Sequence, residues 1–199
     1  DQDHLNRPYI DELVFKFYPD FDIAAAALQN KNVNGLIYLP QSYKSEIKNK
    51  EVVIKNLQSP QYTALFFNPN NNELLADIEF RKALATSIDK ERILTEAISN
   101  DGQVIHSPIL PGSLGYDPEI KDVEYDPNVA KSILDTLGWG KNDESDWRQK
   151  DEVDLVVKLT TVDQDENIKT ASIIKEAWEA LGIKTELVII SKNKILQDI

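Results

Sequence analysis

The chain reads as an α/β protein, and three observations predict it. Leu13, Phe15 and Phe17 at one end, and Val153, Leu155, Val157 and Leu159 at the other, alternate with the residues between them in the period-2 pattern of a half-buried strand. Helical stretches with apolar residues three and four apart lie between such runs, in a strand-helix-strand rhythm. Punctuation residues then mark where the helices begin and end. At 199 residues the chain is one large domain or parts of two, long enough to bury a sizeable core.

In chain order, residues 12–17 are predicted as a strand stopped by Pro19-Asp20, and Asp22 as the cap of the helix IAAAALQN. Asn34-Gly35 is expected to turn the chain into an apolar strand over Gly35–Leu39, which Pro40 ends. SYKSEIKN follows as a short polar helix and VVIKNL as a further strand, with a boundary at Ser59-Pro60. YTALFFN is the next strand, and PNNNE a polar turn.

The stretch Asp77–Trp139 carries the strongest signals. Asp77 caps a helix with Ile78, Phe80, Ala83, Leu84, Ala85 and Ile88 on one broad face. Asp89 starts a second helix, which pairs Ile93 with Ala97 and Leu94 with Ile98 and is expected to stop at Asp101-Gly102. Pro108, Pro111, Gly112, Gly115 and Pro118 then predict a fixed, extended loop. In the third helix Asp126 is the N-cap, Pro127 takes the first turn, Ala130, Ile133, Leu134 and Leu137 form the stripe, and Gly138 supplies the left-handed residue past the end.

Residues 139–151 are predicted as an exposed charged loop. EVDLVVKLTTV is a strand, and Asp163 and Glu166 have capping-box spacing before a helix striped by Ala171, Ile174, Trp178 and Leu181. Gly182 ends that helix and IKTELVII is the last strand, parallel to the one before it.

Composition excludes several classes of function. The net charge is −12, from 22 Lys and Arg against 34 Asp and Glu, which repels phosphate backbones and anionic lipid surfaces. With no cysteine there is no disulfide, thiol nucleophile or thiolate metal site. The two histidines, His4 and His106, are solitary, and His106 reads as a surface or packing residue. No glycine pattern fits a nucleophile elbow, a phosphate loop or a dinucleotide fingerprint. The acidic clusters Asp1–Asp3, Asp143–Asp146 and Asp163–Glu166 read as solvated and capping charge, and DQDEN lacks the glycine and terminal Glu of a calcium loop. Trp139 and Trp178 are expected in the core. No apolar run approaches the ~18 residues of a membrane span, and an opening of DQDHLNRPYIDEL reads as the middle of a longer protein.

Three blocks occur in order: FRKALATSIDKERIL, then the loop Pro108 to Pro118, then YDPNVAKSILDTLGW. Together they resemble the dipeptide/oligopeptide-type (family 5) extracellular solute-binding proteins of ABC transporters. Members of that family show an Arg-x-Ala helix ending in Ile-Asp-Arg or Ile-Asp-Lys, a Pro-x-x-Pro-Gly loop, and Tyr-Asp-Pro before an Ala-Lys helix that ends in Gly-Tyr or Gly-Trp. The chain departs at Phe80, where valine is usual, at Ser87 and Leu137, where alanine is usual, and at Leu36-Ile37-Tyr38, where the family often has an Asp. The first three are apolar or small and leave the likeness intact.

The resemblance implies a type II periplasmic-binding-protein-like lobe with a mixed sheet and flanking helices. Residues 1–60 would belong to the first lobe or an inter-lobe segment, and 61–199 to the first part of the second lobe. It implies solute capture by two-lobe closure without catalysis, metal or cofactor, with oligopeptides the foremost solute and nickel chelates, oligosaccharides or haem carried by relatives. The implied partner is a membrane permease with its ATPase, the state a monomer, and the location extracellular, lipid-anchored or periplasmic. By the same resemblance Phe66, Phe67 and Asn68 approach ligand, although by their own chemistry the two Phe suit a core and Asn68 a turn. The family segment whose aromatics and Asp meet the ligand amine corresponds to a point beyond residue 199. The alternative function is a ligand-sensing or interaction module in which the same lobes serve a regulatory protein.

Overall fold

The computed structural model describes residues 9–55, 61–70, 72–121, 123–141 and 145–191. Asp1–Asp3, His4, the Ser59-Pro60 boundary, Asp143 and the end of VVIKNL lie outside them. The chain forms two compact units, Asp1–Asn56 and Leu57–Ile199.

In the first unit α1 runs Phe21–Gln29 and α2 Gln41–Lys44. Asp20, rather than Asp22, is the N-cap of α1, its carboxylate accepting from the Ile23 N–H at 2.9 Å. The Asp22 carboxylate instead accepts from the Tyr43 hydroxyl at 2.9 Å. Ala24, Ala25, Ala27 and Leu28 are buried on one face of α1. Lys31, at φ 59°, ends α1, and a run of bends follows through Asn34.

None of the strands expected in this unit forms among the described residues: 12–17, 35–39 and 52–55 lack any ladder, and SYKSEIKN shortens to the single turn of α2. Leu13, Val14, Phe15, Phe17, Ile37 and Val53 are all exposed. Alternation says which side chains share a face. A strand also needs a neighbouring backbone to bond, and that partner is non-local.

The second unit holds the core. A 3₁₀ turn, Glu73–Ala76, leads into α3 (Ile78–Thr86), α4 (Lys90–Glu96) and α5 (Pro127–Thr136). Asp77, Asp89 and Asp126 cap these three helices as expected, each accepting from backbone N–H groups of the first turn. Phe80, Ala83, Leu84 and Ile88 are buried, whereas Ile78, at the first position of α3, is 60% exposed. The end of α4 differs from expectation. Ser99 and Asn100 adopt positive φ, and the Asn100 N–H closes on Leu94 O at 2.8 Å, ahead of Asp101-Gly102. Asn tolerates that conformation because its short side chain bonds locally.

The loop 107–118 is a succession of turns and not an extended segment. Ser113 donates to Leu110 O and Tyr116 to Ser113 O, with Gly112 and Gly115 at positive φ. Leu114 stands fully exposed at its tip.

Residues 139–151, expected to be a loop, contribute a small sheet. β1 (Gly140–Lys141), β2 (Arg148–Lys150) and β3 (Val153–Asp154) pair antiparallel in that order. Here the expected strand EVDLVVKLTTV divides: β3 belongs to this sheet, and β4 (Val156–Val162) pairs in parallel with β5 (Lys184–Ile190), from Val156 opposite Lys184 to Val162 opposite Ile190. Leu155, Val157 and Leu159 point into the core, while Val153 is exposed. Helix α6 (Asp165–Ala180) connects the two parallel strands and buries Ala171, Ile173, Ile174 and Trp178. Its N-cap is Gln164, whose side chain caps no backbone N–H, so the capping box of Asp163 and Glu166 does not form. The Asp163 N–H is taken by Ile190 O at 2.9 Å, which ties it to the sheet edge.

One cluster joins these elements: Phe80, Ala83 and Leu84 of α3, Ala130 and Leu134 of α5, Trp139, Leu155 and Val157, and Ala171, Ile174 and Trp178 of α6. The Trp178 indole N–H donates to Leu84 O at 3.2 Å, satisfying the polar atom that this burial would otherwise strand.

Candidate functional site

Phe66, Phe67 and Asn68 lie on an extended segment of the second unit that has no ladder, so YTALFFN is strand-like in shape without being a strand. Leu65 and Phe67 are partly buried and pack against the core cluster, while Phe66 points the other way and is 83% exposed. Asn68 Oδ1 accepts from the Asn70 N–H at 3.0 Å, closing an Asx turn. The structure therefore separates the three residues. Phe67 anchors the segment, Asn68 shapes its end, and Phe66 offers a bare aromatic face.

Elsewhere in the second unit the scaffold is held by a residue that sequence reasoning passed over. Arg148 on β2 is 5% exposed, and its guanidinium donates to Leu181 O at 2.7 Å, to Trp139 O and to the Asp135 carboxylate. Its own backbone N–H reaches Gly182 O at 2.7 Å and its carbonyl accepts from Leu155 at 2.7 Å. One side chain thus satisfies the C-cap carbonyl of α6, where helix carbonyls lack internal partners, and a buried carbonyl two residues past the C-cap of α5. Within DESDWRQK the surrounding charges conceal it, and no local pattern marks Arg148 as buried.

A second feature is a groove of about 300 Å³ between α4, α5 and α6, lined by Ile88, Arg92, Tyr125, Lys131, Ile173 and Glu176 among others. Arg92 donates to Glu96 at 2.9 Å and to Glu176 at 2.7 Å, and these hydrogen bonds raise its pKa still further above the ordinary arginine range. Its charge is committed to locking α4 against α6. His106 is exposed, as expected of a surface residue. Among the described residues no group of three or more His, Asp or Glu could hold a metal ion, and no helix is long and apolar enough to cross a membrane.

A parallel β4-α6-β5 unit, a row of Asp-capped helices and a turn-rich proline loop together make an α/β scaffold. The chain belongs to the bacterial extracellular solute-binding proteins, family 5, whose middle-region profile matches residues 3–198. It is 28% identical over 195 residues to the oligopeptide-binding protein AppA of Bacillus subtilis, covering 96% of this chain and 36% of that protein. The solved structure of AppA in complex with a nonapeptide superposes at a TM-score of 0.70 with 25% identity, over 90% of this chain and 36% of that one. NikZ of Campylobacter jejuni in complex with Ni(L-His) superposes at 0.72 with 26% identity, over 86% of this chain and 34% of that one. The chain thus spans about a third of the length of these relatives.

Proposed function

We propose that this chain is part of a solute-capture protein serving ABC-transporter uptake outside the cytoplasm, in the periplasm or on a lipid anchor, with oligopeptides as the solute and no catalysis. The observation that carries this reading is the superposition, over most of the chain, on proteins solved with a nonapeptide and with Ni(L-His). Residues up to about 56 contribute to a first lobe or its connection and the remainder to a second lobe, and the two lobes of the whole protein close on solute. Peptides stand first because the relative with the highest identity quoted above binds oligopeptides. Phe66, with its free aromatic face, is the contact we assign to solute, and Asn68 holds its turn.

The test is thermal unfolding of the whole protein, and of residues 1–199 beside it, against di- to hexapeptides, sugars and nickel chelates. A peptide-specific rise in Tm for the whole protein is expected, since ligand at a hundredfold excess over Kd stabilises the binding state by about 2.7 kcal/mol. Phe66→Ala should weaken that shift while leaving the ligand-free Tm in place. Phe67→Ala should lower the ligand-free Tm by removing an anchor of about 2 kcal/mol. A shift with no solute class would overturn the reading in favour of a sensing or interaction module.

A further inference from the structure

The first unit contains an aromatic cluster where α1 and α2 meet. Phe21 at the start of α1 meets Tyr38 edge-to-face with ring centroids 5.7 Å apart, and meets Tyr43 of α2 at 6.0 Å and 44°. Phe21 and Tyr38 keep 39% and 60% of their surface open, so ring area remains available beyond what the three give one another.

Negative charge gathers at the same place. Asp22 accepts the Tyr43 hydroxyl at 2.9 Å through one oxygen, and among the described residues its other oxygen has no hydrogen-bond partner. That hydrogen bond, with the charges of Asp22, Glu46 and Asp20, raises the Tyr43 pKa above the ordinary tyrosine value. Asp20 likewise spends one oxygen on the Ile23 N–H, and neither Asp20 nor Asp22 has a cationic partner among the described residues.

Ring faces carry negative electrostatic potential, and carboxylates add the same sign. A neutral apolar group laid on this cluster would strip water from Asp22 and return nothing, whereas an ammonium group satisfies both. We propose that Phe21, Tyr38 and Tyr43, with the carboxylates of Asp20 and Asp22, form a subsite for an alkylammonium group. The subsite lies wholly within the first unit and stands independently of the transport reading.

The test is a titration of residues 1–199 with choline in about 0.15 M salt, where long-range attraction to the acidic surface is screened. The ring resonances of Phe21, Tyr38 and Tyr43 are followed by NMR, with the neutral isostere 3,3-dimethylbutan-1-ol as comparison. Saturable shifts with a Kd of about 1–10 mM are expected for choline, and none for the isostere. Tyr38→Leu should weaken binding at least about fivefold and Asp22→Asn about threefold, while Tyr38→Phe retains it. Equal responses to choline and the isostere, or no ring shift at about 50 mM choline, would overturn the proposal. Far-UV circular dichroism of the Tyr38 variants guards against misfolding, since Tyr38 is exposed and its loss should leave α1 intact.

Discussion

Arg148 supplies donors to two main-chain carbonyls that otherwise face a dry interior, and this explains why so polar a residue is nearly inaccessible. Its ion pair contributes less than its backbone bonds, because the Asp135 side chain is 63% exposed and water screens the attraction. Arg148→Met should therefore lower the unfolding free energy by about 2–4 kcal/mol, the cost of leaving buried acceptors unpaired. Asp135→Asn should cost under about 1 kcal/mol. Urea denaturation of the two variants distinguishes these terms, and equal losses would mean that the ion pair dominates. Phe66 and Phe67 make the same point about single positions: adjacent and chemically identical, they divide between solvent and core because successive side chains of an extended segment point opposite ways.

At the scale of elements, aspartate is the recurrent device. Asp20, Asp77, Asp89 and Asp126 each cap a helix through a carboxylate oxygen, so these four acids have a local use. Asp126→Ala should cost about 1 kcal/mol by releasing the Asn128 and Val129 N–H groups. Asp163→Ala should change stability by less than about 0.5 kcal/mol, because α6 begins without a side-chain cap. Thermal unfolding of the pair checks both, and a comparable loss at Asp163 would restore the capping box. The ends of α5 and α6 are set by Gly138 and Gly182 at φ 84° and 86°. At Gly182 a Cβ would also approach Arg148 Cγ to 3.1 Å, so the helix stop and the Arg148 clamp are one piece of geometry.

Across the whole chain the two units differ in how much apolar surface they bury. Among the described residues, the second encloses six large side chains under 2% exposed, Trp178, Phe80, Leu84, Leu134, Leu155 and Ile183, while the buried apolar residues of the first are three alanines and Leu28. Protection from hydrogen exchange should follow. In residues 1–199 the amides of Val157 and Leu159 should exchange only through global unfolding, and those of Ala24–Leu28 through local opening several kcal/mol cheaper, on the order of 2–4 kcal/mol. Equal protection in α1 and β4 would show that the first unit is held by more than its own core.

What the sequence by itself determined is the set of features whose cause lies within a turn or two of chain. Asp77, Asp89 and Asp126 as caps, Gly138 and Gly182 as stops, the buried stripes of α5 and α6, and the core places of Trp139 and Trp178 were legible because capping and helical periodicity are local effects, and the blocks at 80–94, 107–118 and 125–139 were legible by their resemblance to a family. Tertiary structure alone decided the rest. Whether the alternating run at 12–17 and the apolar runs at 35–39 and 62–68 form strands depends on a backbone partner far away in sequence. Arg148 is buried because two helix ends converge on it, and Phe21, Tyr38 and Tyr43 become a cluster only when α1 and α2 meet. Hydrogen bonds between distant segments leave no periodic trace in the residues that make them.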